Sequence, residues 1–214
     1  MTIYLVSSCV KQSGKTTLAT NLTDSLSRQG RTLLLDIDAK KCAYDWAQQT
    51  SRQFDYEHHL FDPNDAEFFK TRLAQLKQHY ADIVIDADGS DSKAFRSIMF
   101  VADKMLIPLS TDLKDYENLT ELLQLAIAIK QFNPDLQIYV IFNKVTAALQ
   151  QDELERSKQL LQDLPTVRFL NSIIYEDQAL QTALSDGQSI WQNHTESAAV
   201  FDRLVLELQD PVSV

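Results

Sequence analysis

The stretch Ile3-Tyr4-Leu5-Val6-Ser7-Ser8-Cys9-Val10-Lys11-Gln12-Ser13-Gly14-Lys15-Thr16-Thr17 decides the fold. It opens as an apolar run of strand length, breaks into a polar loop, and continues into Leu18-Ala19-Thr20-Asn21-Leu22, whose apolar spacing is helical. Strand, loop, Gly-Lys-Thr and helix follow in the order that binding a phosphate requires. Backbone N–H groups must converge on the anion and a helix N-terminus must lend partial positive charge. A lysine must reach the β/γ-phosphates, and a hydroxyl must sit on Mg²⁺. Gly14, Lys15 and Thr16 supply these parts in order, with Lys11, Gln12, Ser13 and Thr17 completing the candidate nucleotide-binding loop. The usual first glycine is missing, because Cys9 stands six residues before Lys15. The competing reading is an ordinary β–α turn with an exposed lysine.

Further apolar runs recur at 32–35, 83–85, 105–108 and 138–142, separated by stretches with helical spacing. Strands apolar at nearly every position suit a parallel sheet covered on both faces, and parallel neighbours need crossovers of a dozen or more residues. The expected fold class is therefore α/β: a mostly parallel twisted sheet with helices on both faces. Helices are expected over 15–28, 64–79, 92–102, 114–131, 152–163 and 194–208. The first should stop at Gly30, which easily adopts a left-handed C-terminal conformation. Pro63, Asn133-Pro134 and Leu164-Pro165 punctuate loops without marking a boundary, so a single domain over 1–214 is expected.

The 214 residues, 44% hydrophobic and 23% charged, suffice for a core without disulfides. Twenty basic against thirty acidic residues give a net charge of −10, which disfavours whole-surface binding to nucleic acid or anionic membranes. No apolar run approaches the roughly 20 residues that span a bilayer, and Met1-Thr2-Ile3-Tyr4-Leu5-Val6 lacks the features of a signal peptide. A cytoplasmic protein without a membrane partner is expected. Cys9 and Cys42 cannot make a zinc site alone, and both read as small packing residues.

Three carboxylates sit where a nucleotide enzyme of this shape needs them. Alternation puts Asp36 and Asp38 on the same side of the second strand near the carboxyl edge of the sheet, and Asp86 ends the run Ile83-Val84-Ile85, able to reach Mg²⁺ through a water. Any one alone reads as a helix cap. Asn143, closing Ile141-Phe142-Asn143-Lys144, is either an adenine reader or a turn residue. Adjacent His58 and His59 face opposite ways on a strand, which argues against a metal site, while Trp46 and Trp191 read as packing residues.

Together these residues resemble the ParA/MinD family of deviant Walker-A ATPases, with the P-loop NTPase fold, over essentially the whole chain. The likeness rests on Gly14-Lys15-Thr16-Thr17, Asp36-Ile37-Asp38 with a following helix containing Asp45-Trp46, Ile85-Asp86-Ala87-Asp88-Gly89, Ile107-Pro108-Leu109 and Asn143-Lys144. The tail from Tyr175 through Ile190 resembles the family's C-terminal segment. The resemblance implies an ATP- and Mg²⁺-dependent ATPase that forms a homodimer with ATP. Lys15 would contact the phosphates, and Asp38 would position the attacking water. Thr16, Asp38 and Asp86 would form the metal set, and Asn143 would hold adenine. A small adaptor protein would stimulate hydrolysis, and nonspecific DNA would associate the dimer with the nucleoid.

Val10 occupies the position of the lysine that in this family reaches the partner's nucleotide, and Lys11 and Gln12 stand where two glycines are usual. A member without that lysine resembles the carboxysome-positioning McdA branch, as against plasmid partition. Lys11 and Lys144 are the candidate substitutes. DNA binding has weak support, since residues 145–214 hold four basic and eleven acidic residues. Lys40, Lys41, Lys93, Arg96 and Lys104 are scattered elements of any basic patch. The alternatives are a hydrolysis-impaired nucleotide-binding regulator and a P-loop small-molecule ligase of the dethiobiotin-synthetase type.

Overall fold

A computed structural model describes residues 1–51, 54–60, 66–111, 113–146, 151–159, 166–193 and 196–210. Among these, the strands are β1 (Thr2–Ser8), β2 (Thr32–Asp36), β3 (Asp55–His58), β4 (Asp82–Asp88), β5 (Lys104–Leu109), β6 (Gln137–Val145) and β7 (Val167–Tyr175). They form one sheet in the order β3-β2-β4-β1-β5-β6-β7, with every pairing parallel. Alternation in β1 divides the core in two: Ile3 and Leu5 enter one layer, Tyr4 and Val6 the other.

The first layer packs under α3 (Ala66–Leu76), α4 (Lys93–Met99), α5 (Leu113–Ile129) and α6 (Gln151–Gln159). The second lies under α1 (Lys15–Ser27), α2 (Cys42–Gln49), α7 (Gln178–Ser185) and α8 (Glu196–Gln209), with a short 3-10 turn at Ile190–Asn193. The expected α/β architecture with helices on both faces is the one observed. The chain runs outward from β1 to β2 and β3, returns to β4 on one side of β1, and crosses to β5 on the other. Such a switch point places the loops following β1 and β4 together at the carboxyl edge, where open α/β sheets bind ligands.

Two strands and two helices escaped the periodicity. Both β3 and β7 are sheet edges, and their sequences, Asp-Tyr-Glu-His and Val-Arg-Phe-Leu-Asn-Ser-Ile-Ile-Tyr, mix polar with apolar residues because one edge and part of each face stay open. The helices α2 and α7 span eight residues each; α2 carries Asp45 and Trp46 as the resemblance implied. The expected helices over 64–79, 152–163 and 194–208 begin or end partly outside the described residues. Gly30 is not left-handed, contrary to expectation. It is small for another reason: an added Cβ would lie 2.9 Å from the Ala81 Cβ, so the chain passes from α1 into β2 through a close contact. Among the described residues no helix is long and apolar enough to cross a membrane.

Candidate nucleotide-binding site

The loop after β1 feeds α1 through Gly14, whose φ of 85° lies in the left-handed region that glycine occupies without strain. No side chain caps the helix, and no acidic residue stands in its first turn. The orphan N–H groups of a thirteen-residue helix therefore face the loop with no internal acceptor from a cap, which is the condition for receiving an anion.

Lys15 projects across this junction and lies 3.3 Å from Oδ2 of Asp38. Burial works to lower the Lys15 pKa, but the carboxylates of Asp86 and Asp38 outweigh it and the net shift is upward. Burial correspondingly works to raise Asp38, and the backbone N–H of Lys40 together with the Lys15 ammonium brings it below the usual carboxylate value. Both groups are charged at neutral pH.

Asp36 does a different job from the one alternation suggested. It is fully buried, accepts N–H bonds from Asp38 and Tyr44, each at 2.9 Å, and so ties the end of β2 to the start of α2. Its own pKa is raised, chiefly by burial. Asp36 thus fixes the turn that presents Asp38, whose Oδ1 accepts from the N–H of Lys40 at 3.0 Å.

Asp86, also fully buried, accepts from the Thr16 hydroxyl at 2.8 Å through Oδ2. Its Oδ1 is buried with no hydrogen-bond partner. Burial first, then the Asp36 carboxylate, pushes the Asp86 pKa up to about 7 against the Thr16 bond and the Lys15 charge. A buried carboxylate oxygen without a donor, beside a hydroxyl, is a donor set that fits a hard divalent cation. Among the described residues no cluster of three or more His, Cys, Asp or Glu forms a metal cage, so a cation here needs oxygens from its ligand.

A cavity of about 770 Å³ opens from this junction, bounded by the loop from Ser8 to Gln12, Lys15, Asp38, Lys40, the turn from Asp88 to Asp91, and Glu121. Gly89 forms its back wall at backbone contact, where an added Cβ would lie 2.5 Å from the Ser8 carbonyl carbon. The Cys9 thiol donates to the Gly89 carbonyl at 2.9 Å, which accounts for a packed cysteine there. Cys42 is exposed at the start of α2 and is not the packing residue expected.

Asn143 and Lys144 reach the same loop from the tip of β6. The Asn143 amide, 3% exposed, donates to the Ser13 carbonyl at 2.7 Å, and the Lys144 ammonium donates to the Gln12 carbonyl at 2.5 Å. Lys11 stands exposed at the rim of the cavity. The structure thus brings the sequence-predicted site residues from Lys11 through Thr17 together with Asp38, Asp86 and Asn143. The local contributions of Asp36, Gly89 and Lys144 become visible only in three dimensions.

The His58 ring nitrogen Nε2 lies 3.2 Å from the Asp38 carbonyl. Trp46 stacks on Phe54 and donates to the Gln188 carbonyl, and Arg28 covers Trp191 at 4.3 Å. Of the scattered basic residues, Arg96 pairs with Asp91 and Lys104 donates to the Leu208 carbonyl.

Fold and site together define a P-loop nucleotide-binding domain. Residues 12–190 match the family CbiA, the CobQ/CobB/MinD/ParA nucleotide binding domain, and the chain belongs to that family. Maintenance of carboxysome distribution protein A from Halothiobacillus neapolitanus is 23% identical over 181 residues, covering 84% of this chain and 82% of that protein. The apo structure of McdA from Cyanothece superposes with a TM-score of 0.80 at 17% identity, covering 97% of this chain and 99% of that one. An ATP complex of a McdA variant from Cyanothece gives 0.76 at 17% identity, covering 100% and 98%. Cobyrinic acid a,c-diamide synthase from Mycobacterium smegmatis, with bound ADP and magnesium, gives 0.73 at 14% identity, covering 94% and 91%. At these identities the structural likenesses establish the shared fold.

Proposed function

We propose that this chain is a Mg²⁺-dependent ATPase whose ATP-bound form is a homodimer, and that it positions an intracellular cargo in the manner of the carboxysome-distribution proteins it resembles. The reading rests on one observation above all: Lys15, Thr16, Asp38 and Asp86, from three separate segments, meet at an uncapped helix N-terminus at the carboxyl edge of the sheet. In this reading Lys15 neutralises the β/γ-phosphate oxygens, and Asp38 orients the attacking water once Lys15 has exchanged it for phosphate. Thr16 and Asp86, with Asp38 nearby, would hold Mg²⁺, which supplies charge neutralisation at the transferring phosphoryl group. The resemblance would have Asn143 hold adenine, but its buried amide is engaged by the Ser13 carbonyl, so in this reading it braces the phosphate loop.

Hydrolysis releases the two copies; a small adaptor protein accelerates it, and weak nonspecific DNA binding by the dimer confers nucleoid association in the cytoplasm. A single domain over 1–214 carries the whole cycle. The test is phosphate release by the purified chain with ATP and Mg²⁺, with and without DNA. Turnover abolished by chelation supports the reading; no turnover under any condition favours the regulator that binds without hydrolysing. That second reading draws on Val10 and on Lys144, whose ammonium is engaged by the loop carbonyl in its own chain. Turnover only with a metabolite acceptor would instead favour the ligase class, to which the likeness to the diamide synthase lends fold-level support.

A further inference from the structure

Gln12 has a φ of 60°, a left-handed conformation inside the phosphate loop that glycine adopts freely and glutamine does not. Something must hold it there, and the tip of β6 touches it through Lys144. Lys144 is itself left-handed, with a φ of 56°, and it sits in a register shift between β6 and β7 at Asn143/Val145. Bulges of this kind re-aim a side chain. Here the re-aimed ammonium meets the Gln12 carbonyl at 2.5 Å, while the preceding Asn143 amide takes the next carbonyl, that of Ser13, at 2.7 Å.

Among the described residues every peptide is trans, so each carbonyl points opposite to the N–H of the following residue. Drawing the Gln12 and Ser13 carbonyls toward the tip of β6 turns the Ser13 and Gly14 N–H groups the other way. A phosphate loop works through such N–H groups. Gly14 is bound into the same arrangement, since an added Cβ there would lie 2.2 Å from the Asn143 amide nitrogen.

We propose that Lys144 is a positioning residue for the phosphate loop: with Asn143 as its buried neighbour, it holds the non-glycine residue Gln12 left-handed and so keeps the loop's N–H groups turned toward bound phosphate. The proposal rests on the nucleotide-binding reading of this site. It assigns Lys144 to its own subunit's loop, not to a partner's nucleotide, and it makes the need for Lys144 conditional on Gln12.

The experiment is calorimetric titration of ADP–Mg²⁺ and ATP–Mg²⁺ into the wild type, Lys144→Ala, Gln12→Gly and the double variant, with thermal melts to confirm folding. Loss of one charge-assisted hydrogen bond predicts roughly tenfold weaker binding by Lys144→Ala, equally for ADP and ATP. Measured against Gln12→Gly itself, whatever affinity that variant has, adding Lys144→Ala should cost less than about threefold, because glycine adopts the conformation unaided. Undiminished affinity in Lys144→Ala, a loss confined to ATP, or no recovery in the double variant would overturn the proposal. Failure of the wild type to bind either nucleotide would overturn the nucleotide reading itself, and this inference with it.

Discussion

The Lys15 ammonium lies 3.3 Å from Oδ2 of Asp38, with the two side chains 19% and 14% exposed. The phosphate-reaching cation and the carboxylate assigned to the attacking water thus hold one another. A pair this sheltered is screened less than a surface ion pair, and removing one member leaves the other partly buried without its counter-charge. In the proposed ATPase reading, an arriving phosphate would compete with Asp38 for Lys15, which would couple phosphate binding to release of the carboxylate assigned to the water.

Asp38→Ala is expected to bind ATP several-fold more tightly than the wild type, because it removes both the competitor for Lys15 and a like charge facing the phosphates. Its phosphate release should fall by about a hundredfold or more, since orientation of the water acts in the transition state. Sedimentation with ATP and Mg²⁺ should show a persistent dimer. Wild-type turnover in this variant would remove Asp38 from the chemistry.

The raised Asp86 pKa has a defined sign in stability. Burial favours the protonated carboxyl in the folded chain, up to about pH 7, whereas an unfolded aspartate ionises near pH 4. The stabilising difference is therefore complete below about pH 4 and is lost as pH rises through about 7. Thermal melts in chelator between pH 5 and 8 should show the wild type losing stability with rising pH relative to Asp86→Asn, whose amide does not titrate. Parallel profiles for the two proteins would contradict the assignment.

Gly89→Ala introduces a methyl 2.5 Å from the Ser8 backbone, against the base of the phosphate loop. Overpacking of this kind costs about 1–3 kcal/mol, or roughly 2–10 °C in melting temperature for a chain of this size. Calorimetric melting is the check, and nucleotide affinity should fall with it because the displaced strand end leads directly into the loop.

Lys11 and Lys144 are separated by the structure. Both are exposed, but Lys144 is engaged with the Gln12 carbonyl, whereas Lys11 lines the cavity rim. At saturating ATP, Lys11→Ala should therefore reduce the dimer fraction seen in sedimentation more than Lys144→Ala does. The reverse order would assign the inter-subunit charge to Lys144.

The features legible in the sequence were those carried by local chemistry. Five buried strands announced themselves as continuous apolar runs, and Gly14-Lys15-Thr16 identified the loop without any tertiary information. The edge strands β3 and β7 did not, because an edge tolerates the polar residues of Asp55–His58 and the interrupted pattern of Val167–Tyr175. Gly30 and Gly89 look alike in sequence to any turn glycine, yet both are set by close neighbours distant in the chain, Ala81 and Ser8. Asp36 and Asp38 alternate as expected, but only the backbone turn after β2 reveals that one anchors α2 while the other meets Lys15. The side-chain bonds of Asn143 and Lys144 to carbonyls of a loop some 130 residues earlier have no sequence signature at all.

The central claim, that ATP binds through Lys15 at the loop between β1 and α1, is tested most directly by calorimetric titration of ATP–Mg²⁺ into the wild type and Lys15→Ala. Saturable binding by the wild type and none by Lys15→Ala, with the variant's circular dichroism and melting cooperativity retained, is the predicted result. Equal affinity in the two proteins would contradict it and remove the loop from the mechanism.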